Sequence, residues 1–223
     1  MIFRGVVFDL DGTLIDSIED LASSMNTVLE SRGLPVHRVE AYRGFIGRGM
    51  GRLVFQALPE DCREEETIRE CILAMQVEYA KHWQDSTDLF PGVAELLRGL
   101  ENRGLALAVH SNKPHEFTRL MVDSLLDEWS FSAVLGARPE RPVKPDPAGA
   151  LEIADALGLY PEECLFVGDS DVDMDTAVQA GMYPVGALWG YRDRDELLEA
   201  GAGMLIDQPE DILDFIDETD SEG

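Results

Sequence analysis

The sequence predicts an α/β fold, a doubly wound parallel sheet whose first strand is followed by an inserted block of helices. Three observations carry this. Apolar runs that stop on polar clusters recur at Val6-Val7-Phe8, at Leu105 to His110 and at Leu165-Phe166-Val167. From Pro91 onward such runs alternate with helical patterns, the order that builds a parallel sheet wrapped by helices. Between the first run and Pro91 the spacing of apolar residues is helical throughout.

Val6, Val7 and Phe8 favour a strand that delivers Asp9 to its carboxyl end, with Asp11 two residues later and Gly12 supplying a turn. Ser17 can cap a helix from Ile18 to Ser31, where Ile18, Leu21, Ala22, Met25, Val28 and Leu29 repeat at helical spacing until Gly33. Val39 to Phe45 and Met50 to Leu58 read as shorter helices. Glu64 to Trp83 reads as a long one, with Ile68, Ile72, Met75 and Tyr79 along one face. The expected organisation is therefore a core begun by residues 1–15, an α-helical cap over 16–87, and the rest of the core over 88–223. Pro91 starts a helix through Leu100 that Gly104 ends. A strand at 105–110, a helix at 115–127, a short strand near Ala133 to Leu135 and a helix at 146–157 follow. A strand at 164–168, a helix at 173–181, a short strand near Pro184 to Leu188 and a helix from Asp193 to Ala200 come next. A strand at Met204 to Ile206 and a helix from Glu210 close the series, and the polar tail Asp217 to Gly223 is expected to fray.

Composition narrows the function. With 18 basic and 44 acidic side chains the net charge is -26, which excludes electrostatic capture of nucleic acid or an anionic membrane, since both need a basic stripe. A phosphate substrate meets a repulsive field, so its site must counter that field locally with metal and lysine. Only Lys81, Lys113 and Lys144 are available against fifteen arginines. Cys62, Cys71 and Cys164 are odd in number and lack metal-ligand spacing, so they read as reduced thiols, Cys164 close to a buried strand. No apolar stretch approaches bilayer length and the N-terminus shows no cleavage signal, which makes the cytoplasm the expected address. A monomer or a homodimer is expected.

The chemistry sits where the apolar runs end. In open α/β sheets the ligand crevice lies at the carboxyl ends of the strands, so Asp9 and Asp11, Ser111-Asn112-Lys113 and Gly168-Asp169-Ser170-Asp171-Val172-Asp173 are expected to converge. Lys144-Pro145-Asp146-Pro147 lies between the last two clusters in sequence. Paired carboxylates so placed can share a hard cation and divide nucleophilic from acid/base work. Each segment alone has an ordinary reading: Asp-Gly as a turn, Ser111 as a strand-end cap, Lys144 as a surface residue.

Taken in order, the four segments resemble the motifs of the haloacid dehalogenase-like superfamily. Asp9-Leu10-Asp11-Gly12-Thr13 resembles motif I, Ser111 motif II, Lys144 motif III and Gly168 to Asp173 motif IV. Within that superfamily, Thr13 to Ser17, Lys144 to Pro147 and Ala187-Leu188-Trp189-Gly190-Tyr191 are most similar to the phosphoglycolate phosphatase group. The resemblance implies a Rossmann-like core and a phosphatase acting on a small phosphorylated metabolite. Asp9 would be the nucleophile that forms an aspartyl-phosphate, and Asp11 the acid and base. Ser111 and the Asn112 amide would hold phosphoryl oxygens, and Lys144 would neutralise charge. It also implies Mg²⁺, held by Asp9, the Asp11 carbonyl and Asp169, with Asp173 and Ser170 behind them. Asp171 and Asp175 fall at positions without a role and read as solvated or helix-terminal charges. A phosphosugar mutase of the β-phosphoglucomutase kind and a pyrophosphatase are the alternatives. A dehalogenase is disfavoured, because Asp11 has no task in carbon–halogen displacement.

Three further residues are singled out. His110 departs from the hydroxyl or apolar residue expected before motif II and reads as a strand-end histidine with its hydrogen bonds satisfied, or as a substrate contact. Lys113 is expected to be exposed. Arg43 and Arg48, set among Gly44, Gly47 and Gly49, are expected either to close over the site and bind a substrate carboxylate or to be solvated at a turn.

The acidity reads first as a solvated surface and second as adaptation to high salt. A series of melting temperatures from dilute to molar salt separates the two, and absence of stabilisation by concentrated salt removes the second.

Overall fold

Val6, Val7 and Phe8 are all fully buried, the pattern of a parallel strand covered on both faces. In the computed structural model, which describes residues 3–221, this strand lies inside a six-stranded sheet. In chain order the elements are β1 (Gly5–Phe8), β2 (Ile15–Asp16), α1 (Ile18–Ser31), α2 (Met50–Ala57), α3 (Glu65–His82), β3 (Asp88–Leu89) and α4 (Val93–Asn102). Then come β4 (Ala106–Pro114), α5 (His115–Leu125), β5 (Phe131–Ala137), α6 (Ala148–Leu157), β6 (Cys164–Gly168) and α7 (Asp171–Ala180). The chain ends with β7 (Tyr183–Ala187), α8 (Arg194–Glu199), β8 (Met204–Ile206) and α9 (Asp211–Ser221). Sheet order is β5-β4-β1-β6-β7-β8, and every pair is parallel. The chain leaves β1 toward β4 and β5 on one side, then crosses back to β6 on the other. Order therefore reverses at β1, and the crevice of a doubly wound sheet opens there.

Alternation along β1 separates two cores. Val6 and Phe8 join Leu107, Val109, Leu165 and Val167 beneath Val93, Leu96, Leu97 and Leu100 of α4 and Ile212 and Ile216 of α9. Val7 faces the other way, with Ala108 and Phe166, beneath Ala150 and Ile153 of α6 and Ala177 of α7. The doubly wound sheet that the sequence predicts is the sheet observed.

Between β2 and β3 the chain is helical. α1 packs on α3 and α3 on α2, with Leu21, Met25, Leu29, Met75 and Tyr79 buried. The two ends of this insert meet in an antiparallel pair, Ile15 opposite Leu89 and Asp16 opposite Asp88. Asp20, in the first turn of α1, secures the return. Its carboxylate accepts Ser86 N at 3.0 Å, Thr87 N at 2.9 Å and Thr87 Oγ1 at 2.7 Å.

Several local expectations differ from what the chain does. Ser17 stands at the N-cap of α1 without capping it, because its hydroxyl donates instead to Asp11 Oδ1 at 2.5 Å. Val39–Gly44 is a 3-10 helix with only Tyr42 buried, too narrow an apolar face to support an α-helix. The helix expected from Pro91 starts at Val93. The strand expected to end at His110 pairs with β5 as far as Pro114, through a register shift after His110. Backbone pairing continues there although the apolar run has stopped. The tail expected to fray from Asp217 is helical through Ser221, since Ile212 and Ile216 are buried and Arg103 grips Asp217 with Nε and Nη2 at 2.8 and 2.7 Å. Its last two residues, 222–223, lie outside the described residues. No helix among the described residues is long and apolar enough to cross a membrane.

Asp20→Ala removes the acceptor for three donors at once, two of them, from Thr87, buried. Urea unfolding is expected to show a loss of roughly 2–4 kcal/mol; a loss within about 0.5 kcal/mol, the range of ordinary surface changes, would show that the return is held by something else.

Candidate active site

Asp9 is the first residue past β1, and its amide still donates to Val167 O of β6 at 2.9 Å. The chain then turns sharply. Leu10 O receives the amides of Leu14 and Ile15 at 3.0 Å each, and Gly12 adopts φ of +91°, a conformation side-chain-bearing residues avoid. This turn leaves Asp9 and Asp11 beside the ends of β4 and β6.

Lys144 is the hub of the first constellation. Its Nζ lies 2.8 Å from Asp9 Oδ1 and 2.6 Å from Asp173 Oδ1. The approach to Asp173 is a well-directed hydrogen bond, whereas that to Asp9 is off-axis, so Asp9 Oδ1 is buried without an aligned donor. Asp173 Oδ2 accepts Ser170 N at 3.1 Å and Ser170 Oγ at 2.5 Å, closing the capping box that starts α7. Asp169 Oδ2 accepts Tyr191 N at 2.7 Å, and Oδ1 accepts Thr13 Oγ1 at 3.4 Å. A Cβ at Gly190 would run into the Asp169 side chain and the Gly12 carbonyl, so glycine is required for Asp169 to seat this closely.

The carboxylate oxygens of Asp9, Asp169 and Asp173 come within 4.8 Å of one another, and all three residues are buried. One ammonium offsets three carboxylates. Burial raises the Asp9 pKa, Lys144 lowers it and Asp173 raises it again, for a net value of about 7. Burial, then Asp173 and Asp9, hold Asp169 well above the ordinary carboxyl range. Burial opposes the charge on Lys144, yet Asp173 and Asp9 outweigh it and raise its pKa. An all-oxygen donor set, an excess of buried negative charge and an Asp9 oxygen with no aligned donor together fit a hard divalent cation. The Asp11 carboxylate lies outside this group, because it is held elsewhere.

Lys113 holds it. This lysine, expected at the surface, is buried and donates to Asp11 Oδ1 and Oδ2 at 2.9 and 3.1 Å and to Tyr79 Oη at 2.9 Å. The reason for the difference is the extension of β4, which carries residue 113 inside the sheet edge and beneath α3. Tyr79 and Ser17 are the site neighbours that sequence reasoning missed. The available signal was the scarcity of lysine, since two of the chain's three lysines lie in the polar clusters.

A narrow cleft separates the sheet from the helical insert. Asp9, Asp11, Ser111, Asn112 and Lys113 form its floor, and Leu21, Ile46, Met50 and Leu53 are among the residues that cover it. Asn112 bonds across it, its Nδ2 donating to Gly47 O and Lys144 O at 3.0 Å each and its Oδ1 accepting Lys144 N at 2.8 Å. Arg48, half exposed, pairs with Asp171 on α7, so neither is merely solvated. Arg43 is exposed and lines a different cleft with Tyr191 and Arg192. His110 is not at the cleft. It packs edge-on against Phe166, centroids 5.9 Å apart, and its Nδ1 is buried without a partner rather than satisfied. Burial first, and Lys144 second, lower its pKa well below the ordinary value, so the ring is neutral.

The haloacid dehalogenase-like hydrolase family profile matches residues 6–187. Phosphoglycolate phosphatase 1 of Pseudomonas aeruginosa is 34% identical over 220 residues, covering 96% of this chain and 80% of the relative. The phosphoglycolate phosphatase of Salmonella choleraesuis is 34% identical over 229 residues, covering 94% and 91%. The solved structure of a predicted phosphoglycolate phosphatase from Haemophilus somnus superposes with a TM-score of 0.86 at 32% identity, covering 96% and 97%.

With an Asp9 pKa of about 7 against an ordinary 3.8, this carboxyl holds its proton in the metal-free folded chain at pH values where it would lose it in the unfolded chain. The stability that Asp9 contributes is therefore lost as pH rises through that window. A divalent cation must displace the proton, so adding one is expected to raise the melting temperature more at pH 8 than at pH 5. Equal shifts at both pH values would contradict this protonation of the cluster.

Proposed function

This chain belongs to the haloacid dehalogenase-like hydrolase family and is a phosphoric monoester hydrolase, and we propose that it hydrolyses a small, negatively charged phosphate monoester of the phosphoglycolate type through an aspartyl-phosphate on Asp9. The observation that carries this is Asp9 itself, a buried carboxylate lining the cleft with an oxygen that no donor aligns on, beside Lys144 and two further carboxylates. Residues 16–87 act as the cap and residues 1–15 with 88–223 as the core.

The substrate enters with its phosphoryl group over Asp9. A carboxylate oxygen of Asp9 bonds to phosphorus as the bond to the leaving oxygen breaks, and Asp11 gives that oxygen a proton. Water then attacks the phosphorus of the aspartyl-phosphate, Asp11 takes its proton, and inorganic phosphate leaves with Asp9 restored. Ser111 and the Asn112 amide hold phosphoryl oxygens, and Lys144 offsets the charge shared by Asp9 and phosphate. Mg²⁺ is the proposed cation, held by Asp9, Asp169 and Asp173 with the Asp11 carbonyl. When bound, it neutralises phosphoryl charge.

The close cover of Leu21, Ile46, Met50 and Leu53 over Asp9 and Asp11 supports a short leaving group. Arg48 is the proposed partner for a substrate carboxylate, since its pairing with Asp171 is half exposed and exchangeable. Arg43, placed in another cleft, would assist only by holding the loop.

Asp9→Asn is expected to abolish turnover with the fold intact, because the amide is nearly isosteric but neither attacks phosphorus nor ligates a cation well. Activity above a trace, with deamidation excluded by mass spectrometry, would contradict the assignment. Chelator is expected to stop turnover and Mg²⁺ to restore it, whereas Ca²⁺, with its looser coordination, is not; full activity in chelator would sink the metal requirement.

Arg48→Ala is expected to weaken catalysis on phosphoglycolate by roughly 1.5–3 kcal/mol more than on an uncharged aryl phosphate. Equal losses on both esters would remove the carboxylate contact, as would no loss on either.

A further inference from the structure

Lys113 and Asp11 belong to the sheet side of the cleft, but the group that completes their contact comes from the insert. Lys113 Nζ has three N–H bonds to give. Nζ lies 2.9 and 3.1 Å from the two oxygens of Asp11, which can share one N–H, and donates another to Tyr79 Oη of α3 at 2.9 Å. The same ammonium lies 4.6 Å from the centre of the Tyr79 ring, a cation–π contact with the residue it bonds. Tyr79 is fully buried and held from behind by Phe117, ring centroids 5.2 Å apart. On the other side Ser17 Oγ fixes Asp11 Oδ1 at 2.5 Å.

The buried Lys113 ammonium thus joins the Asp11 carboxylate to a hydroxyl of the insert. The orientation of Asp11 depends on α3 being seated. Without the Tyr79 hydroxyl one donor of a buried ammonium is left unmet, and the lysine must turn to find another acceptor.

We propose that Tyr79 is a positioning residue, which through Lys113 aligns the Asp11 carboxyl with the leaving oxygen and so ties proton delivery to closure of the helical insert. This rests on the reading of Asp11 as the acid that protonates the leaving group. It adds a role for a residue of the insert that touches neither the phosphoryl group nor the cation-binding carboxylates.

The test is how the effect depends on the leaving group. An alkyl phosphate such as phosphoglycolate departs as a basic alkoxide and needs the proton, whereas 4-nitrophenyl phosphate releases a stable phenolate and scarcely does. Because kcat/KM reports the steps through leaving-group departure, Tyr79→Phe is expected to lower it about tenfold for phosphoglycolate and less than about twofold for the aryl ester. Asp11→Asn should show the same split more strongly, and adding Tyr79→Phe to it should cost nothing further, because the only route of the effect has gone. Lys113→Gln, which cuts the link from the sheet side, carries the same expectation and keeps the test open should Tyr79→Phe fail to fold. Equal losses on both esters, or an effect that adds to Asp11→Asn, would overturn the inference while leaving phosphatase activity in place. Absence of turnover by the unaltered protein on both esters would overturn the phosphatase reading and the inference with it.

Discussion

Carboxylates repel one another, and removing them from water makes the repulsion worse; this chain nevertheless buries Asp9, Asp169 and Asp173 with oxygens within 4.8 Å of one another. Much else in the fold serves that placement. Each acid needs a rigid mount, supplied by the ends of β1 and β6 and the first turn of α7. The room beside Asp169 comes from Gly12 and Gly190, where a side chain would collide. The charge is partly offset by Lys144 and partly by amides and hydroxyls, from Ser170 to Asp173 and from Tyr191 to Asp169. Held protons and a divalent cation are the two ways to supply the remainder, and exchange between them connects the electrostatics of the cluster to its chemistry.

The second lysine solves a parallel problem. Asp11 has to stay outside the cation-binding group if it is to handle protons, and the structure keeps it apart by giving it partners of its own, Lys113 and Ser17. The two motif lysines are thus divided between the two carboxylates of the first loop. The insert meets the core through specific contacts above them: Arg192 Nη2 donates to Ile46 O at 2.8 Å, Asn112 reaches Gly47 O, and Arg48 pairs with Asp171.

The parallel sheet was legible because continuous apolar runs and the alternation of strand with helix are written in the apolar residues, and β6 and β8 lie where those residues place them. Boundaries failed where something other than an apolar pattern decides. β4 runs past His110 because backbone pairing needs no apolar side chain, and α9 runs past Asp217 because Arg103 reaches it from 114 positions away. In the site, the acids and Lys144 stood out through their order along the chain. Lys113 and Tyr79 did not. A lysine after a polar cluster looks solvated until the helix that buries it is in place, and a tyrosine on a helical face looks like core packing whatever its hydroxyl meets. Ser17 fits both a cap and a carboxylate partner, and only the fold chooses between them. His110 reads as satisfied in sequence because a missing partner leaves no sequence signal.

The central claim is that one acid of the buried cluster, Asp9, takes the phosphoryl group while its neighbours manage charge. A single turnover with excess enzyme, quenched in acid and analysed by peptide mass spectrometry, tests it most directly. The account predicts a phosphoryl group on the peptide containing Asp9, on that residue, early in the reaction and gone when phosphate release is complete. Full release of phosphate in the same turnover, with Asp9 unmodified at every time resolved and the quench shown to preserve acyl phosphates, would contradict it.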